Sequence, residues 1–79
     1  MTGLQVFVAV VEQGSLSAAA ERLDMSRAMV SRYLAELEEW MGARLLHRTT
    51  RRQSLTLVGE EALQRARSVL SLGEEMSQL

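Results

Sequence analysis

At 79 residues the chain has room for one small domain, and its formal net charge of −1 gives no overall bias toward an anionic partner. It holds no cysteine and one histidine, which excludes a disulfide framework, a thiolate metal site, a thiol nucleophile and a zinc site built on histidine alone. The N-terminus has no signal-peptide pattern and no apolar run reaches the roughly 18 residues of a membrane span, so a cytoplasmic, membrane-free protein is expected.

The first predicted element covers about Thr2 to Gln13. Leu4, Phe7, Val8 and Val11 have the i, i+3, i+4, i+7 spacing of one helix face. The alternation of Val6, Val8 and Val10 also allows a strand, but the length favours helix, with Gly14 as its stop. After a short turn, Ser17 can cap a second helix over Ala18 to Leu23. Asp24-Met25 is a break without glycine or proline, and Ser26 can cap a third helix that runs to about Met41 and stops at Gly42. Val30, Leu34, Leu37 and Met41 form its inward stripe, with Met29, Tyr33 and Trp40 widening or flanking it. Trp40, Tyr33 and the methionines read as packing groups.

Leu45-Leu46 and Ser54 to Thr56 read as two short strands around a polar, basic hairpin tip, His47 to Gln53. Thr56 can cap a last helix reaching toward Leu79. On that helix Ala62, Ala66, Val69, Gly73 and Met76 share one seam, with Leu63 and Leu70 beside it. A helix of about 22 residues closing a small domain needs a surface to pack on, and a second copy of itself is the simplest one. The fold class is therefore mainly α with a small β-hairpin: a winged helix-turn-helix over 1–56 and a linker and dimerisation helix over 57–79.

The local charge is more informative than the total. Residues 1–25 carry −2, residues 26–56 set six arginines against three glutamates for +3, and residues 57–79 carry −2. A basic middle between acidic flanks suggests an anionic partner there. The exposed side of the third helix begins small and basic and ends acidic, which suits insertion of its N-terminus into a groove. Ser26, Arg27, Ala28, Ser31 and Arg32 are the candidates for reading the DNA major groove, with Arg27 the best suited to a base edge. Arg48, Thr49, Thr50, Arg51 and Arg52 are the candidates for gripping phosphate or the minor groove. Plainer roles stand beside these: Arg27 as a solvated helix start, Arg32 as an i, i+4 partner of Glu36, Ser26 as a cap. Glu36, Glu38 and Glu39 lack the paired setting of acid–base catalysis and read as a solvated face that repels DNA. With no nucleophile, metal cluster or phosphate loop, an enzyme is not expected.

Four stretches resemble the LysR-type transcriptional regulators. Phe7 to Ala20 is similar to that family's opening, and Ser26 to Arg32 followed by Leu37-Glu38 to its recognition helix. Leu45 to Arg52 is similar to its wing and Leu55 to Glu60 to the start of its linker helix. Two positions depart from the pattern: Arg27-Ala28 where the family often has Gln-Pro, and Leu46 where it often has Phe. The resemblance implies a bacterial, cytoplasmic regulator that binds double-stranded promoter DNA. It implies a homodimer through the last helix, built on Ala62, Leu63, Ala66, Val69, Leu70 and Met76, and tetramers in the full-length protein. It further implies no cofactor in this part and a small-molecule effector on a C-terminal domain that is absent here. Two rival readings remain: another winged-helix family, such as a small multidrug-resistance-type repressor, and a protein-interaction module whose wing is incidental.

Overall fold

The computed structural model describes residues 2–48 and 53–77. They form α1 (Thr2–Gln13), α2 (Leu16–Leu23), α3 (Arg27–Met41), β1 (Leu46–Arg48), β2 (Gln53–Leu55) and α4 (Leu57–Ser77). The expected class is observed: mostly helical, with one two-stranded antiparallel hairpin among the described residues.

Helix α1 is the centre of the core. Val6, Phe7 and Val10 are fully buried, and Val8 and Ala9 nearly so. The valines that allowed a strand reading lie on a helix covered from several sides, because α2, α3 and α4 all pack on α1. Leu4 and Val11, expected on the core face, lie at its half-buried margin. Gly14 ends the helix at φ 81, and its N–H donates to the Val10 carbonyl at 2.9 Å.

Helix α2 starts earlier than expected. Ser15, not Ser17, is the cap: its backbone is extended and its Oγ accepts from the Ala18 N–H at 3.1 Å. Both serines suit the role, but the earlier start brings Leu16 against the core. Ala19 and Ala20 are buried, and their small side chains permit close approach of the neighbouring helices. The break to α3 is made by Asp24 in the left-handed region at φ 53, which a short polar side chain tolerates. Met25 N–H then donates to the Ala20 carbonyl at 3.0 Å.

Ser26 caps α3 as expected, its Oγ accepting from the Met29 N–H at 3.1 Å, and Gly42 closes the helix at φ 70. Val30 and Leu34 are buried in the core, whereas Met41, at the end of the stripe, reaches the surface. Trp40 corrects the sequence reading: it is 83% exposed and not a core-edge packing group. The methionines are corrected in part. Met25 packs against the core, but Met29, Met41 and Met76 are exposed.

The strands are Leu46–Arg48 and Gln53–Leu55 rather than Leu45-Leu46 and Ser54 to Thr56, with Leu46 opposite Leu55, His47 opposite Ser54 and Arg48 opposite Gln53. Leu45 and Leu46 are both buried, and Thr56 is spent on capping α4. The expected hairpin tip therefore shortens, since His47, Arg48 and Gln53 belong to the ladder. Helix α4 is about 31 Å long at 1.5 Å per residue, the longest element in a molecule measuring 43 × 27 × 19 Å.

Candidate nucleic-acid interface

Three features bring the candidate residues to one side of α3. The Ser26 cap starts the helix there, so Arg27, Ala28 and Arg32 follow in its first turns, all exposed. The buried stripe of Val30 and Leu34 pins the opposite side to the core. Ala28, Arg32 and Ala35 stand at i, i+4 and i+7 on the outer face, while Ser31 is half-buried at its edge. The first turn holds no acid, so the positive end of the helix dipole faces outward unopposed.

Ser26 uses its oxygen as the cap acceptor, and its hydroxyl hydrogen remains a donor for a second partner. The Arg32 Nε donates to Glu36 Oε1 at 3.3 Å, the expected i, i+4 pair. Both side chains are well exposed, so the pair is worth only a few tenths of a kcal/mol and opens at little cost. Met29, read from the sequence as widening or flanking the inward stripe, stands on the surface beside the candidates. It is 45% exposed and lines a shallow depression with Arg32, Tyr33 and Glu36. Its place one residue before the buried Val30 was the available signal, because the stripe through 30 and 34 turns position 29 toward the edge.

At the other end of α3 the acidic residues divide. Glu36 and Glu39 are exposed, as expected of a solvated face. Glu38 is different: its Oε2 accepts from the backbone N–H of Leu45 at 2.8 Å and of Leu46 at 3.4 Å. Thr56 ties the far side of the same segment. Its hydroxyl donates to the Arg44 carbonyl at 2.6 Å and accepts from the Gly59 N–H at 2.9 Å, and its own N–H donates to the Leu45 carbonyl at 3.1 Å.

Of the wing candidates, Arg48 is the last residue of β1, and Thr49, Thr50, Arg51 and Arg52 lie outside the described residues. His47 is exposed, and among the described residues no cluster of His, Asp or Glu could hold a metal. No described helix is long and apolar enough to cross a membrane.

The six candidates on α4 do not share one free face. Ala66 is 1% exposed and Ala62 is buried with it, while Leu63 is packed against the core and Leu70 is half-buried. Small residues on a helix fit close approach to any neighbour, and here the neighbour is the chain's own α1. Val69 and Met76 remain exposed and are joined by Leu72, which the sequence reading did not single out.

Three helices with a capped, outward-facing third helix, a hairpin beside it and a long final helix define a winged helix-turn-helix. Comparison with known proteins narrows the class. Residues 1–60 match the model of the bacterial regulatory helix-turn-helix proteins of the lysR family. The chain belongs to that family. It is 52% identical over 67 residues to the HTH-type transcriptional regulator CrgA of Neisseria meningitidis, covering 85% of this chain and 22% of CrgA. It is 45% identical over 76 residues to the probable HTH-type transcriptional regulator LrrA of Synechococcus elongatus, covering 96% of this chain and 26% of LrrA. The structure is similar to CbnR_DBD in its crystallised DNA complex, with a TM-score of 0.93, 36% identity and coverage of 98% of this chain and 88% of that one. The chain thus spans about a fifth to a quarter of the length of these curated relatives. They are transcriptional regulators and not enzymes, and this domain is of the same non-enzymatic kind.

Proposed function

We propose that the chain binds double-stranded DNA in sequence-selective fashion, with the N-terminal turns of α3 in the major groove. The observation that carries this reading is the exposed, acid-free start of α3, where Ser26, Arg27, Ala28 and Arg32 face outward together. The likeness to the DNA complexes of CbnR_DBD and BenM_DBD supports it. Arg27 reads a base edge, Ala28 and Met29 offer apolar contact to a thymine methyl, and Ser26, Ser31 and Arg32 reach phosphate or base. Arg48, Thr49, Thr50, Arg51 and Arg52 supply grip on phosphates or the minor groove. Most of these contacts carry affinity rather than sequence choice.

The unit acts as half of a homodimer joined through α4, and as part of a larger assembly in a longer regulator. The effector is a small molecule held by a C-terminal domain beyond residues 57–79. The C206S mutant of an OxyR from Corynebacterium glutamicum, of which the matched region covers 23%, has been crystallised with H2O2 bound, a small molecule on a longer protein that contains this fold.

Titration with duplex DNA at two salt concentrations tests the reading. Binding that weakens steeply with salt is expected, because arginines on phosphate displace condensed counterions. Absence of salt-sensitive binding would favour the interaction module.

A further inference from the structure

The start of the hairpin is suspended between two helices. On one side the Glu38 carboxylate of α3 accepts the N–H of Leu45 at 2.8 Å and of Leu46 at 3.4 Å. On the other the Leu45 carbonyl accepts the N–H of Thr56, one residue before α4. Leu45 and Leu46 are 0% and 2% exposed, so their amides have little access to water. A buried backbone N–H without a partner is costly, and a carboxylate is the strongest acceptor a side chain offers it. Leu46 opens β1, the strand that ends at Arg48. The hairpin therefore leaves the core at a point set by a side chain of α3 itself.

We propose that Glu38 is a positioning residue for the wing, holding the base of β1 in register with α3 so that both meet one DNA duplex at once. The inference rests on the DNA-binding reading and adds a residue that touches no DNA. It also reverses the expectation that Glu38 repels DNA from the solvated end of the helix.

The discriminating variants are Glu38→Asp and Glu38→Gln. Aspartate keeps the charge but shortens the reach by about 1.5 Å, one carbon–carbon bond. Glutamine loses the charge but keeps a carbonyl oxygen at the same reach. Amide hydrogen exchange at Leu45 and Leu46 is measured in the DNA-free protein, and duplex affinity is measured across a salt series. Glu38→Asp should speed exchange at Leu45 and weaken binding about 3- to 10-fold, the scale of one ordinary net hydrogen bond. The salt slope should flatten with it, while the ranking of duplex sequences stays as in the parent. Glu38→Gln should fall between the parent and Glu38→Asp in both measurements, because its carbonyl oxygen still accepts the N–H but without the charge.

The same pair is then made in a background with Arg48, Arg51 and Arg52 all changed to alanine. There Glu38→Asp should cost less than about twofold, since residues acting through one another are non-additive. Equal losses in the two backgrounds, unchanged exchange at Leu45, or tighter binding by Glu38→Gln would each overturn the proposal. So would a wing-neutral background that binds DNA as well as the parent. If Glu38→Asp does not fold, a folded Glu38→Gln with the parent's exchange and affinity overturns it, and one with faster exchange at Leu45 and weaker binding upholds it. A parent that shows no salt-sensitive DNA binding ends the DNA reading itself, and this proposal with it.

Discussion

Arg27 stands at the first position of α3, exposed, with no acid in the same turn to compete for it. Its guanidinium fits the paired acceptors of guanine, and a wrong or missing pairing of that kind costs about 1–3 kcal/mol. Arg27→Ala is expected to change which sequences are preferred in a selection from random duplexes. Uniform weakening across all sequences would reduce Arg27 to a phosphate contact. Arg32 makes the opposite case. It is already paired with Glu36 at 3.3 Å on an exposed face, so on the proposed reading it would reach a phosphate by giving up one weak partner. Glu36→Gln should accordingly leave sequence preference alone and alter affinity by less than about 1 kcal/mol, in the direction of tighter binding. A change of preference measured in the same selection would contradict that division.

Two glycines of α4 separate what helix propensity asks from what packing allows. A Cβ on Gly59 would meet the Leu45 carbonyl oxygen, while one on Gly73 would meet nothing within 4 Å. Gly59→Ala is expected to lower stability by about 1–3 kcal/mol, because backbone must move to admit it. Gly73→Ala is expected to raise stability by up to about 1 kcal/mol through propensity alone. Thermal unfolding of the two variants checks both signs. The same contrast marks how far the elements could be read from residues. Ser26, Gly14, Gly42 and Thr56 act within a few residues of themselves, so their caps and stops were legible. Ser15 and Ser17 are equally good caps locally, and only the burial of Leu16 decides between them. Glu38 and Trp40 were illegible because their environments are set by how the chain turns after α3 and not by their neighbours within it. Glu38 meets Leu45 after α3 has ended, and Trp40 is left exposed, an outcome its residue type does not signal. Ala62 and Ala66 carried a real packing signal whose target was ambiguous: small residues mark close approach, and the sequence does not say to which helix.

At the scale of the whole molecule, α4 has one face packed on α1 and another left exposed, and the proposed dimer uses the second. Ala62 and Ala66 fix it to α1, and the ion pair of Glu12 with Arg22 at 2.9 Å, extended to Arg67 at 4.0 Å, lies across the same junction. Val69, Leu72 and Met76 follow at i, i+3 and i+7, are 40%, 59% and 72% exposed, and make an apolar stripe of the kind that marks an interaction surface. A second α4 laid on that stripe buries it in both copies by the same contact, as a two-fold interface requires. The two faces predict opposite outcomes for the same chemical change. Val69→Glu should leave the helical signal and unfolding temperature of the domain nearly intact while shifting its sedimentation from dimer to monomer. Ala66→Glu should lower stability by several kcal/mol, as burial of an unpaired carboxylate does. It should do so whether or not a dimer forms. A dimer that survives Val69→Glu places the interface off this stripe, and its half-site spacing on DNA would then have to be set by contacts other than those of α4.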